Sequence, residues 1–180
     1  MSRALLKEFK PSILFLAKFL GAYLLLNLLY GLYINSYSPD PDPVTYIVTE
    51  QTSWILNLVG NETTILRNET QPNVYLSNAD RDVLSVFEGC NGLNTMIVFV
   101  SFLIAYGQLK KKLLWFIPLG IIVIHLFNLV RVGALYYITV YFDQYLYFTH
   151  KYLFTGFLFG IIFIMWYIWV TRLYNKSSAQ

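Results

Sequence analysis

The stretch EGCNGLNTMIVFVSFLIAYGQLKKK, from Glu88 to Lys112, decides the fold. Its middle, Leu93 to Leu109, holds no charged side chain and is long enough for a helix to cross a lipid bilayer. Lys110, Lys111 and Lys112 close the run and mark that end as cytoplasmic, because basic residues are held on that side. The polar turn Glu88-Gly89-Cys90-Asn91-Gly92 then belongs at the opposite face.

On the N-terminal side, Ile13 to Ile34 is another apolar run, preceded by Arg3, Lys7 and Lys10. It reads as a retained signal anchor. A cleavable leader has a shorter apolar core and a small-residue cleavage site, whereas this run ends Tyr33-Ile34-Asn35-Ser36-Tyr37. Lys18 inside it can extend its stem to the inner interface. On the C-terminal side, the apolar run from Leu113 past Arg131 to Phe142 is too long for one upright span, so it either projects beyond the bilayer or breaks near Gly133. A last run, Tyr152 to Val170, ends at Arg172 and Lys176. The expectation is an all-α polytopic membrane protein, a single domain over 1–180, with four transmembrane helices at about 13–34, 93–109, 113–134 and 152–170.

Residues 35–89 contain nothing long enough to cross and form an extracytoplasmic segment. Its opening, Ser38-Pro39-Asp40-Pro41-Asp42-Pro43, cannot be helical, because each proline restricts the residue before it. Val44 to Val59 shows a rough 3.6-residue apolar period through Ile47, Val48, Trp54, Ile55 and Leu58, which predicts an interfacial amphipathic helix ending near Gly60. Thr63 to Leu66 and Asn73 to Leu76 flank a turn centred on Asn68 to Pro72 and predict a short β-hairpin leading toward Cys90. Charge agrees with this layout. Arg3, Lys7, Lys10, the three lysines at 110–112, Arg172 and Lys176 fall on the inside, and every acid except Glu8 falls outside. Both termini are therefore expected in the cytoplasm.

Composition narrows the function. Of 180 residues, 57% are hydrophobic and 13% charged, the balance of an integral membrane protein whose constraint is internal backbone hydrogen bonding. The net charge of +3 is spread over loop ends and gives no nucleic-acid signal. A single cysteine excludes an internal disulfide and a thiolate-rich metal site. No cofactor is expected.

Three chemically costly residues share one depth. Cys90 lies about 30 Å of helix from Lys110, Arg131 about 28 Å from Lys112, and His150 about 33 Å from Arg172, each close to the bilayer thickness. A lone cysteine is ordinarily a small buried residue, an arginine at that depth an interface anchor, and a histidine there an interface ring. Together they suggest chemistry. The apolar run continues past Arg131, and Asn128, three residues earlier, lies on the same helical face. His125 is about 120° round the helix from Arg131 and deeper, so His150 is the better partner. Cys90 precedes a helix start, where free backbone amides favour a thiolate; Arg131 would act in the same sense and Glu88 against it. An intramembrane carrier using Arg131 and His125 is disfavoured, because four spans without paired broken helices do not build one.

These motifs resemble the exosortases and archaeosortases, membrane-embedded cysteine transpeptidases of bacteria and archaea. The resemblance rests on Cys90-Asn91-Gly92 before the second span, Asn128-Leu129-Val130-Arg131-Val132 in the third, and His150 before the fourth. The small size is similar to the compact F-type group of the Bacteroidetes. Asn91 departs from the serine or alanine that typical members carry after the cysteine. The resemblance implies Cys90 as nucleophile forming a thioester, His150 as general acid or base, and Arg131 as oxyanion stabiliser, with Asn128 and Asn91 supporting them. It also implies a protease or transpeptidase in the bacterial cytoplasmic (inner) membrane, with its site on the periplasmic side. Its partners would be membrane lipid and exported proteins bearing a C-terminal sorting signal made of a motif, a helix and a basic tail. The alternative is a non-catalytic assembly or scaffold protein that keeps the exosortase fold.

Overall fold

Leucines from Leu14 to Leu32 give the first helix, α1 (Arg3–Asn35), its continuous apolar surface. The computed structural model describes residues 3–79, 81–106 and 111–174. Lys110, Lys176 and the expected end of the second span at Leu109 lie outside these residues. Leu24 and Leu28 are 65% and 61% exposed, an apolar surface that suits lipid.

The proline-rich turn ends at Asp42, whose carboxylate accepts hydrogen bonds from the Val44 and Thr45 amides and caps α2 (Pro43–Leu58). Proline at the first helical position loses no bond, so Asp-Pro is a strong helix start. The inward face of α2 is largely hydroxylic: Thr45, Thr49, Thr52 and Ser53 are buried with Val48 and Leu56. Ile47, Trp54, Ile55 and Leu58 point outward. The apolar period therefore marks the exposed side of the helix, with Val48 the exception.

Three strands follow: β1 (Thr64–Arg67), β2 (Asn73–Ser77) and β3 (Asp82–Phe87), paired antiparallel in the order β1-β2-β3. β1 and β2 make the expected hairpin. The third strand corrects that expectation. Its apolar residues come in adjacent pairs, Val83-Leu84 and Val86-Phe87, which hides the two-residue alternation a strand search relies on. β3 runs into a 3-10 turn, Glu88–Cys90.

The helices after the turn are α3 (Leu93–Tyr106), α4 (Lys111–Tyr141) and α5 (Asp143–Leu173). Three helical stretches are long and apolar enough to span, namely Phe9–Asn35, Lys111–Tyr141 and Asp143–Leu173, whereas α3 has 14 residues within the described part. The expected spans 113–134 and 152–170 sit inside longer helices. α4 does not break near Gly133. Its C-terminal half stays helical because it has packing partners there: Leu129 and Val132 meet Val48, Val86 and Cys90, and Tyr136 meets Leu56, Leu76 and Val83.

The half of the bundle away from the sheet is an apolar core of Phe99, Leu103, Leu113, Phe116, Ile124, Ile162 and Trp169. α3 and α4 approach closely at Gly120, where a Cβ would lie 2.2 Å from the Phe99 ring. α1 joins through Phe15, whose ring meets Phe102 at 5.6 Å and Tyr106 at 6.1 Å. α5 is irregular where it matters: it opens with a 3-10 turn at Asp143–Tyr145 and contains a π turn at Thr149–Leu153.

Candidate active site

Cys90 ends the turn that β3 delivers to the head of α3 and is 4% exposed. Gly92 makes the reversal possible. Its φ of +84° is open to glycine at no steric cost, and a Cβ there would lie 3.1 Å from the Asn128 side chain. Asn91 fixes the turn from both ends of its amide: Oδ1 accepts from the Leu93 amide at 3.0 Å, while Nδ2 donates to Thr45 Oγ1 at 3.2 Å and to Asp42 Oδ2 at 3.5 Å. The same aspartate that starts α2 thus also anchors the residue after the cysteine. From the third side, the Tyr30 hydroxyl of α1 donates to the Glu88 carbonyl at 3.0 Å.

Arg131 projects from α4 and is 6% exposed. Its Nη1 donates to Asn128 Oδ1 at 3.3 Å, and Asn128 Nδ2 donates to the Cys90 carbonyl at 2.9 Å, so one fully buried amide holds both the guanidinium and the cysteine backbone. The positive charge of Arg131 favours the charged form of Cys90. Among the described residues no carboxylate lies within ion-pair reach of Arg131, and its Nε has no hydrogen-bond partner.

His150 arrives from α5 on the π turn. In that turn the Phe154 amide bonds back to the Thr149 carbonyl, and the Thr155 hydroxyl donates to the His150 carbonyl at 3.4 Å. A π turn carries one residue more than a regular turn, which rotates the helix on its N-terminal side by about 100° relative to the helix on its C-terminal side. His150 Nε2 lies 3.4 Å from Cys90 Sγ and 3.2 Å from Arg131 Nη2. A guanidinium cannot accept a hydrogen bond, so Nε2 accepts and the ring proton is assigned to Nδ1. The thiol of Cys90 donates to the same nitrogen.

His150 therefore brings Cys90 and Arg131 together, with Asn128 and Asn91 behind them. His125 is elsewhere: its Nε2 pairs with Gln51 Oε1 of α2 at 2.7 Å. Burial pushes the Cys90 thiol up, and Arg131 and the Phe87 amide only partly oppose it. The resting group is a thiol. Sequence reasoning missed Asp42, Thr45 and Tyr30 as supports. Asp42 was findable, because Asp-Pro ahead of an apolar period is a capping signature; Tyr30 carries no such local signal.

Two cavities meet at this cluster. Cys90 and His150 line one of about 370 Å³, together with β3, α4 and α5. Arg131 lines a second, of about 330 Å³, together with Gly89, Asn94 and Thr95. No group of carboxylate, imidazole and thiol ligands fit for a metal ion occurs among the described residues. What the arrangement offers is a thiol, a base to take its proton and an unneutralised cation. A family model described as transmembrane exosortase matches residues 6–169. No curated protein and no solved structure matches the chain.

Proposed function

The chain belongs to the transmembrane exosortase family, and from that premise we propose that it is a membrane-embedded cysteine protease or transpeptidase that cleaves C-terminal sorting signals of exported proteins. The observation that carries this reading is the buried guanidinium of Arg131, which has no carboxylate partner among the described residues and hydrogen-bonds His150, the ring that also meets the Cys90 sulfur. A buried charge without a partner is costly, and it is useful where negative charge develops during a reaction.

The geometry suggests the order of events. His150 Nε2 takes the Cys90 proton as the sulfur attacks the substrate carbonyl, forming a carbon–sulfur bond and a tetrahedral oxyanion. Once protonated, Nε2 no longer accepts from Arg131. The Nη2 donor released in this way can turn to the oxyanion, so proton transfer and charge stabilisation are linked. Collapse returns the proton from Nε2 to the leaving amine and breaks the peptide bond, leaving a thioester on Cys90. Water or an amine then resolves the thioester.

The site is proposed to face the periplasm at the outer surface of the bacterial cytoplasmic membrane, with four spans, both termini inside, and α2 resting its outward apolar side on lipid. A substrate whose helix enters the membrane after its motif would present the scissile bond at that depth. The test is Cys90→Ala in a host carrying the cognate substrate. Processing should fall by at least about a thousandfold, as when a nucleophile is removed from a covalent mechanism. Unchanged processing would sink the cysteine mechanism and favour a scaffold role.

A further inference from the structure

β3 is an edge strand, hydrogen-bonded to β2 on one side only. Its free edge is turned into the cavity that holds the cysteine. Val83, Leu84, Ser85 and Val86 all line that cavity with Cys90 and His150. Consecutive strand residues point their side chains to opposite faces, so a space bordered by four in succession runs along the edge of the strand and not over one face.

The backbone polarity of that edge follows from the ladder. The Asn73 carbonyl accepts from the Asn68 amide and so faces β1. In an antiparallel pair the bonded and non-bonded positions alternate, which makes Asn73 and Phe87 a non-bonded pair, as are Tyr75 and Ser85. Ser85 and Phe87 therefore direct their amides and carbonyls away from β2. Phe87 ends β3 immediately before the Glu88–Cys90 turn, so this edge leads up to the cysteine. Among the described residues no other main-chain group bonds to Ser85. Unpaired strand edges attract extended chains, and natural proteins usually blunt or cover them. This one is left open beside a nucleophile.

A peptide in extended form is the ligand that offers amides and carbonyls at strand spacing, whereas a lipid tail offers neither. We propose that the substrate segment bordering the scissile bond is held as an added strand on the free edge of β3, through main-chain hydrogen bonds to Ser85 and Phe87. The proposal rests on the cysteine peptidase reading and adds to it the conformation in which the substrate is cleaved. β3 leads straight into the Glu88–Cys90 turn, so a strand in register with it runs past the sulfur. Alternate side chains of the added strand would fill the apolar cavity, and those positions would carry the sequence preference.

The test uses a reporter library in which a randomised segment precedes a transmembrane helix and a basic tail. The best-cleaved member is resynthesised with single N-methyl groups at successive residues and assayed with the full-length protein in lipid vesicles. Losing one main-chain donor should lower kcat/KM by about tenfold at every second residue on one side of the scissile bond, and by less than about twofold at those between. Ser85→Pro, which lacks the edge amide and leaves the β2 ladder its donors, should raise KM with little change in kcat. Should that variant fail to fold, the methylation pattern decides alone. A flat pattern across residues, with cleavage still lost in Cys90→Ala, would overturn strand addition and leave the peptidase reading standing. No Cys90-dependent cleavage of any library member would overturn both.

Discussion

Arg131 holds its charge among a thiol, an imidazole and an amide, with no carboxylate against it among the described residues. Residue counting placed it level with Cys90 and His150, and the structure brings the three residues together. How the contact is made was not legible, because it depends on Asn128 using both ends of its amide and on Gly92 entering the left-handed region. The sequence left the state of the thiol open between opposing influences, and burial is what decides it. A thiol pushed above its ordinary range reacts as its small thiolate fraction grows, so the alkylation rate of Cys90 by iodoacetamide should still be climbing at about pH 9. Arg131→Met, which removes the cation favouring the thiolate, should move the curve to still higher pH. A plateau below about pH 8 would mean a preformed thiolate and contradict the assignment.

At the scale of elements, α5 shows what periodicity cannot reveal. Its apolar pattern reads as one helix, and nothing in the spacing signals the extra residue at Thr149–Leu153. A single inserted residue leaves composition unchanged and shifts phase only locally. Yet that turn aims His150. Deleting the exposed Lys151 should restore a regular helix and rotate His150 by about 100° against the rest of α5. The variant should keep its helical circular dichroism and membrane insertion while losing cleavage. Retained cleavage would show that the π turn does not aim the ring. β3 and α2 make a related point. The third strand was obscured by adjacent apolar residues, and the apolar stripe read in α2 lies on the face turned away from the protein. Periodicity locates a stripe without saying whether protein or lipid covers it.

At the scale of the molecule, the long apolar helices were legible because lipid imposes length and charge rules on the whole chain, and the family was legible in the motifs around Cys90, Arg131 and His150. The segment between α1 and α3 was only partly legible, since a small sheet packed on α2 and the C-terminal half of α4 is settled by tertiary contacts. The proposed orientation makes a direct prediction. In a Cys90→Ala background, Arg67→Cys should react with a membrane-impermeant maleimide added to cells with a permeabilised outer membrane, and Lys112→Cys should react only after the inner membrane is broken. Equal labelling of both, or the reverse order, would refute the orientation. The central claim is that Cys90 carries the acyl group, and intact-mass measurement of acid-quenched protein during turnover of a cleaved reporter tests it most directly. An adduct with the mass of the substrate's N-terminal fragment is expected, mapped to Cys90 and released by hydroxylamine. Continued turnover with no adduct, and no loss of turnover in Cys90→Ala, would contradict it.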